Sequence, residues 1–137
     1  MVIVLISCVR KKKSFKCKAK DLYDSTWFHY GWRYAQSLNP DKIFILSAKH
    51  GLVDPETQIG PYQEILNTKG DKEIQEWAAG ILKVLDQKTH LNKDKFVIMA
   101  GEKYRRHLVG AICHYKIPMD GLRFGEQLAW LKQRCPK

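Results

Sequence analysis

Three short apolar runs constrain this chain more than anything else in it. Val2–Ile6, Lys42–Leu46 and Lys95–Ala100 (KFVIMA) are each five or six residues long and rich in β-branched side chains. None of them alternates apolar with polar residues. An unbroken apolar run of that length suits a strand covered on both faces, which is the condition of a parallel sheet. Parallel strands cannot be joined by tight turns, so helical crossovers must lie between them.

The intervening segments supply those helices. Ser25 is a suitable N-cap for a helix reaching Leu38, with Phe28, Trp32 and Ala35 on one stripe and Asn39-Pro40 as its stop. Asp71 is expected to cap another helix, in which Ile74, Trp77, Ala78, Ile81, Leu82 and Leu85 recur at spacings of three and four. Gly101 is expected to open a third, with Tyr104, Leu108, Ala111, Ile112 and Tyr115 facing inward. Glu126–Arg134 closes the chain as a fourth, Leu128 and Leu131 inward. A further strand near Lys116–Met119 would be weak or at an edge, because Pro118 cannot donate to a ladder. The expected fold is α/β: a three-layer α/β/α sandwich with a small, about four-stranded, mostly parallel sheet, in one domain spanning residues 1–137.

Composition narrows the function classes. No apolar run approaches the ~20 residues of a membrane span, and Met1–Ile6 is too short for a secretory leader, so a cytoplasmic protein without a membrane partner is expected. Cys8, Cys17, Cys113 and Cys135 form no Cys-x-x-Cys pair, so free thiols and no metal site are expected. No glycine-rich phosphate loop, dinucleotide fingerprint or nucleophile elbow is present, and no cofactor is expected. The 24 Lys and Arg residues against 14 Asp and Glu give a net charge of +10, which points to a polyanionic partner, a nucleic acid or a nucleotide. Seven of the basic residues lie between Arg10 and Lys20 with no acid among them. That run is expected to be a solvated loop or arm beside the first strand, placed to hold phosphates.

In an open parallel sheet the ligand crevice lies beyond the carboxyl ends of the strands. Three polar clusters are delivered there: Ser7-Cys8 with Lys11 and Lys12, Ser47 to Gly51, and Gly101 to Tyr104. Lys49 is placed to hold a phosphate as a point charge. His50 reads as a general base or a turn residue, and Gly51 as a position of positive φ. Asp54 reads either as the start of a turn or as a carboxylate that activates water. Tyr62 reads as a stacking platform for a base or as core.

The string ILSAKHGLVDP, followed by Pro61-Tyr62, resembles a domain family of unknown function widespread in phages and bacteria. More distantly it is similar to the peroxide-stress protein YaaA. The resemblance takes in LISCVRKKK at the start, Asp21-Leu22-Tyr23-Asp24-Ser25, Gly101-x-x-Tyr104 and GLRFGEQLAWL at Gly121–Leu131. It implies a uracil-DNA-glycosylase-like α/β/α fold. Gly60-Pro61-Tyr62-Gln63 is loosely like the water-activating loop of that group, with Asp54-Pro55 the nearest substitute for its aspartate. The leading expectation is a base-binding or N-glycosidic-bond-cleaving protein. Asp54 and His50 would be its catalytic residues. Ser7, Cys8, Lys11, Lys12, Ser47, Lys49, Gly51, Tyr62, Gly101 and Tyr104 would bind substrate and phosphate. The alternatives are a non-catalytic DNA-binding stress protein using Arg10–Lys20 and Lys103–Arg106, and a phage protein that binds or cleaves a nucleotide signal. The oligomeric state is left open.

Overall fold

A computed structural model describes residues 1–135; Pro136 and Lys137, counted within the expected domain, lie outside it. The central sheet has five strands: β1 (Val2–Ser7), β3 (Lys42–Ser47), β4 (Gly51–Val53), β6 (Lys95–Met99) and β7 (His114–Lys116). Their spatial order is β4-β3-β1-β6-β7. All neighbours run parallel except β4, which turns back against β3 with Gly51 opposite Ser47 and Val53 opposite Ile45. Two further strands, β2 (Cys17–Lys18) and β5 (Gln58–Ile59), pair antiparallel as a separate ribbon.

The apolar runs do what their composition requires. Ile3, Val4, Leu5 and Ile6 are each fully buried, and burial of such side chains stabilises by about 1.5–3 kcal/mol apiece. One face of the sheet packs on α2 (Thr26–Ser37) and α5 (Phe124–Arg134). Phe28, Ala35 and Leu131 meet Val4, Ile6, Ile45 and Met99 there. The other face packs on α3 (Asp71–Lys88), whose Ile74, Ala78, Ile81 and Leu85 form the buried stripe. The three-layer α/β/α sandwich is therefore the observed architecture. Ser25 caps α2 as expected, its Oγ accepting from Phe28 N at 3.0 Å. Asn39 follows in the left-handed region at φ 50° and ends the helix.

Three features differ from the sequence reading. The basic run is only partly a solvated loop. Cys17–Lys18 is a strand, Ala19–Leu22 forms a short helix (α1) with Ala19 and Leu22 buried, and Lys12 bridges antiparallel to Tyr23. Small apolar residues between the lysines give the run something to bury. Gly101 opens only a single α-turn, α4 (Glu102–Arg105), followed by a 3-10 turn at Val109–Ala111. Tyr115 lies on β7 and not on a helix. The edge strand falls at His114–Lys116, just before Pro118, so the proline does not enter the ladder.

Candidate functional site

The chain passes from β1 through α2 on one face to β3. It then crosses to the far side of β1 and enters β6, which leads into α4 on the other face. Neighbouring strands whose connections leave toward opposite faces open a crevice between their carboxyl ends. Here that crevice lies between β1 and β6. It holds a cleft of about 530 Å³ lined by Ser7, Val9, Trp27, Asn67, Gly101, Glu102, Lys103, Tyr104, Phe124 and Gln127.

The cleft is apolar in body with polar groups at its edges. Phe124 is 66% exposed although it begins α5, so its ring stands in the opening without a covering partner. Trp27 is buried below, its Nε1 donating to Gln127 Oε1 at 3.1 Å. The Tyr104 hydroxyl lies 3.5 Å from Cys8 Sγ, and its ring meets Trp77 edge-on at 5.6 Å. Burial holds the Tyr104 phenol well above the ordinary tyrosine range, so it is neutral and available for hydrogen bonding. Glu102 is held below the usual carboxylate range by hydrogen bonds from Arg106, at 2.8 and 2.7 Å.

Beside the cleft, at the ends of β1 and β3, lies a closed network. Ser47 Oγ accepts from His50 N at 3.0 Å and donates to Tyr62 Oη at 2.8 Å. Tyr62 Oη is 2.6 Å from Tyr23 Oη, and Ser47 O accepts from Trp77 Nε1 at 2.8 Å. Ser47 and Tyr23 are fully buried and Tyr62 nearly so. Burial raises both phenols far above their ordinary range. Lys12 covers the network, its Nζ 4.3 Å from the Tyr62 ring centre and 5.8 Å from that of Tyr23. No buried side-chain nitrogen or oxygen among the described residues lacks a partner.

Most of the expected site residues are thus gathered at one sheet edge. Ser7 and Gly101 line the cleft, Tyr104 lines it and bonds Cys8, and Lys12, Ser47 and Tyr62 build the network. Gly51 takes φ +73° at the reversal into β4. The exposed His50 sets its ring edge-on to Tyr62 at 5.5 Å. Lys11 and Lys49 are exposed.

Asp54 is the exception. Because β4 runs back along β3, each residue after His50 moves away from the carboxyl edge, and Asp54 ends about 10 Å down the sheet at ~3.4 Å per residue. There its Oδ1 accepts from Glu56 N at 2.9 Å, the turn-forming role. It lines a different cavity of about 580 Å³ at the amino end of β3. In that cavity Lys20 pairs with Glu56 at 2.8 Å, Lys42 Nζ donates to the backbone carbonyl of Lys88, and an Asp41 carboxylate oxygen accepts from Val2 N.

Tyr23, Trp27, Glu102, Phe124 and Gln127 were not among the expected site residues. Tyr23 lies in the block Asp21–Ser25, Phe124 and Gln127 lie in Gly121–Leu131, and both blocks stand out in the sequence; Glu102 lies inside Gly101–Tyr104, and Trp27 just beyond Ser25. The approach of Trp27, Phe124 and Gln127 to Ser7 is tertiary, made by packing α2 against α5. The second basic segment is largely neutralised, since Arg105 pairs with Asp120 and Arg106 with both Glu102 and Asp71. No group of three or more His, Cys, Asp or Glu among the described residues is arranged to hold a metal. No helix among them is long and apolar enough to cross a membrane.

Comparison with known proteins gives no match among curated proteins. It gives none among solved structures either. A family model matches residues 3–133, nearly the whole chain, and the chain belongs to that family, the family of unknown function DUF6884.

Proposed function

We propose that this protein is directed to nucleic acids or nucleotides and seats a base in the cleft between β1 and β6. The observation that carries the reading is the uncovered Phe124 ring at the mouth of that cleft, opposite the polar ends of β1 and β6, in a chain of net charge +10. An exposed aromatic ring is a platform on which any base can stack, worth about 1–3 kcal/mol per base. Tyr104, Ser7, Gln127 and the Asn67 amide offer donors and acceptors to a base edge. Lys103 at the rim and the Arg10–Lys16 segment supply positive charge for phosphate. The resemblance to glycosylase-like α/β/α proteins and to YaaA agrees with this assignment.

Cleavage of an N-glycosidic bond is the catalytic version. It needs a carboxylate at the cleft to orient water, and Glu102, kept ionised by Arg106, is better placed for that than Asp54. The test is to incubate the protein with oligonucleotides carrying uracil or damaged bases and with free nucleotides, following binding and base release together. Binding that Phe124→Ala weakens about tenfold supports the reading. Release abolished by Glu102→Gln adds the catalytic step. Failure of every nucleotide and oligonucleotide to bind would sink both.

Non-catalytic duplex binding is the second reading. It is favoured by Arg10, Lys11, Lys13 and Lys16, none of which forms an ion pair among the described residues. It predicts affinity for any duplex that falls steeply with salt and that free nucleotide does not compete away.

A further inference from the structure

The two helical layers carry charge differently. On one face of the sheet, α3 has four acids, Asp71, Glu73, Glu76 and Asp86, against three lysines, Lys72, Lys83 and Lys88. On the other face, α2 and α5 together have one acid, Glu126, against Arg33, Lys132 and Arg134. Glu126 is engaged locally, its Oε1 accepting from Arg123 N at 3.0 Å. None of the three cations forms an ion pair among the described residues. The excess positive charge of the helical layers therefore falls on the α2–α5 side.

Each of these cations lies against an aromatic ring. Arg33 Cζ is 5.5 Å and Lys132 Nζ 5.8 Å from the centre of the Tyr30 ring, and Arg134 Cζ is 4.2 Å from that of Trp130. Trp130 in turn meets Tyr34 edge-on at 5.0 Å, and Cys135 Sγ donates to Tyr30 O at 3.0 Å, joining the end of α5 to the middle of α2. The three rings are half-buried and the three cations exposed. A ring face holds a cationic head without neutralising it. A cation held that way keeps its charge and donors for a phosphate and has less freedom to lose on binding one. Both helices start at the cleft: Trp27 and Gln127, in their first turns, are bonded to one another and line it with Phe124. The surface leads away from that mouth, with Arg134 about 15 Å beyond Phe124 along α5 at 1.5 Å per residue. A nucleoside monophosphate seated on Phe124 is too short to reach it, and a strand of several nucleotides is not.

We propose that the outer surface of α2 and α5 is the track for a single-stranded nucleic acid that seats one base in the cleft, with Arg33, Lys132 and Arg134 holding its phosphates. This deepens the base-cleft reading and rests on it for the choice of partner. It makes a polynucleotide, and not a free nucleotide, the ligand of the whole site. It also selects a single strand over a duplex, because the base that meets Phe124 has to arrive unpaired. Tyr30 and Trp130 keep the cations in place along the track.

The test measures binding of a labelled single-stranded oligonucleotide, the matching duplex, a set of nucleoside monophosphates and polyglutamate to the full chain over a range of salt concentrations. Each phosphate contact to a single strand contributes about 0.7 to the slope of log affinity against log salt. The combined variant Arg33→Gln, Lys132→Gln, Arg134→Gln should therefore lose about 2 of that slope for the strand and bind monophosphate as the parent does. Arg33→Lys with Lys132→Arg and Arg134→Lys, which keeps the charges, should retain the slope. Phe124→Ala should weaken strand and monophosphate alike and leave the slope unchanged. An unaltered slope in the combined Gln variant, with monophosphate still bound, would overturn the track and leave the cleft reading standing. A slope lost in that variant, with no monophosphate bound and no effect of Phe124→Ala on the strand, would keep the track and overturn the cleft reading. Duplex bound as tightly as the strand through the same three residues would overturn the choice of a single strand. Polyglutamate bound as tightly through them would overturn the assignment to nucleic acid, since it offers charge without bases. The three side chains are exposed, and each single Gln variant, expected to lose about 0.7 of slope, repeats the measurement should the combined variant melt below the parent.

Discussion

The two halves of the carboxyl edge of this sheet are built to opposite ends. On the β3 side, Ser47, Tyr62 and Tyr23 are buried and bonded to one another, with His50 and Trp77 attached at the margin. On the β6 side, Ser7, Tyr104 and Phe124 border an open cleft, and the Phe124 ring is two-thirds exposed. A closed, satisfied polar network mainly specifies structure, since every group already has its partner. An open cleft with an uncovered aromatic keeps its contacts for something else. The same edge therefore separates a part that holds the loops in place from a part left to a ligand. Substitutions on the first side should cost stability, and those on the second should cost binding.

The largest effect is expected at Ser47, whose hydroxyl serves two partners at once. Ser47→Ala leaves the His50 amide and the Tyr62 hydroxyl short of a partner, and each such loss costs about 1–3 kcal/mol. A fall of about 2–3 kcal/mol in urea denaturation, at unchanged m-value, is the expected outcome. A change below about 0.5 kcal/mol would mean that water replaces the hydroxyl freely and that this side is as open as the other.

Phe124→Ala should show the reverse pattern. Its side chain is exposed, so stability should move by less than about 0.5 kcal/mol. Affinity for a single-stranded oligonucleotide, measured by fluorescence anisotropy, should fall about tenfold, from the loss of about 1–3 kcal/mol of stacking. If stability falls while affinity holds, the ring is a structural cover and the comparison fails.

Parts of this division are readable in the sequence and parts are not, for physical reasons. Val2–Ile6 announces a strand buried on both faces because nothing polar interrupts it, and Ser25 announces a helix start because its hydroxyl has one obvious partner. Gly51–Val53 gives no such notice. Three residues are too few to show a period, and the reversal depends on Gly51 adopting a positive φ. That reversal decides the fate of Asp54, which adjacency in sequence joins to His50 and the antiparallel strand carries away. Tyr104, Leu108 and Ile112 are spaced as on a helix. Yet one α-turn followed by a 3-10 turn also brings Leu108 and Ile112 into the core, so spacing alone cannot separate the two. Phe124 reaches the cleft from a segment distant from Ser7, and no local pattern records that meeting.

A finer probe of the closed side is the Tyr23–Tyr62 pair, whose hydroxyls are 2.6 Å apart. Tyr23→Phe and Tyr62→Phe, alone and combined, form a double-mutant cycle. Residues in one buried hydrogen-bond network show interaction energies of about 0.5–3 kcal/mol. A coupling near 1 kcal/mol is expected, together with little change in oligonucleotide affinity. Additive effects would mean that the hydroxyls are not working as a unit.

The smallest expected effect concerns what ties the basic run to the rest of the chain. Glu56, just before β5, accepts hydrogen bonds from Lys18 and Lys20, and these hold its carboxyl down at about 2, from an ordinary value of 4.5. A carboxylate depressed in the folded state stabilises fully above its unfolded pKa, and the contribution fades as pH falls from about 4.5 through 2. The group is fully exposed, so solvent and salt screen the pair and the effect is small. Glu56→Gln should therefore flatten the acid limb of the stability profile slightly between about pH 5 and pH 2 and leave the plateau near neutrality almost unchanged. Raising the salt concentration should erase the difference between the two proteins. A large loss at pH 7 would instead show that the β2–β5 ribbon depends on this carboxylate to stay docked. The fixed backbone beneath Lys12 would then share the mobility of a solvated loop, and the contrast between the two sides of the edge would narrow.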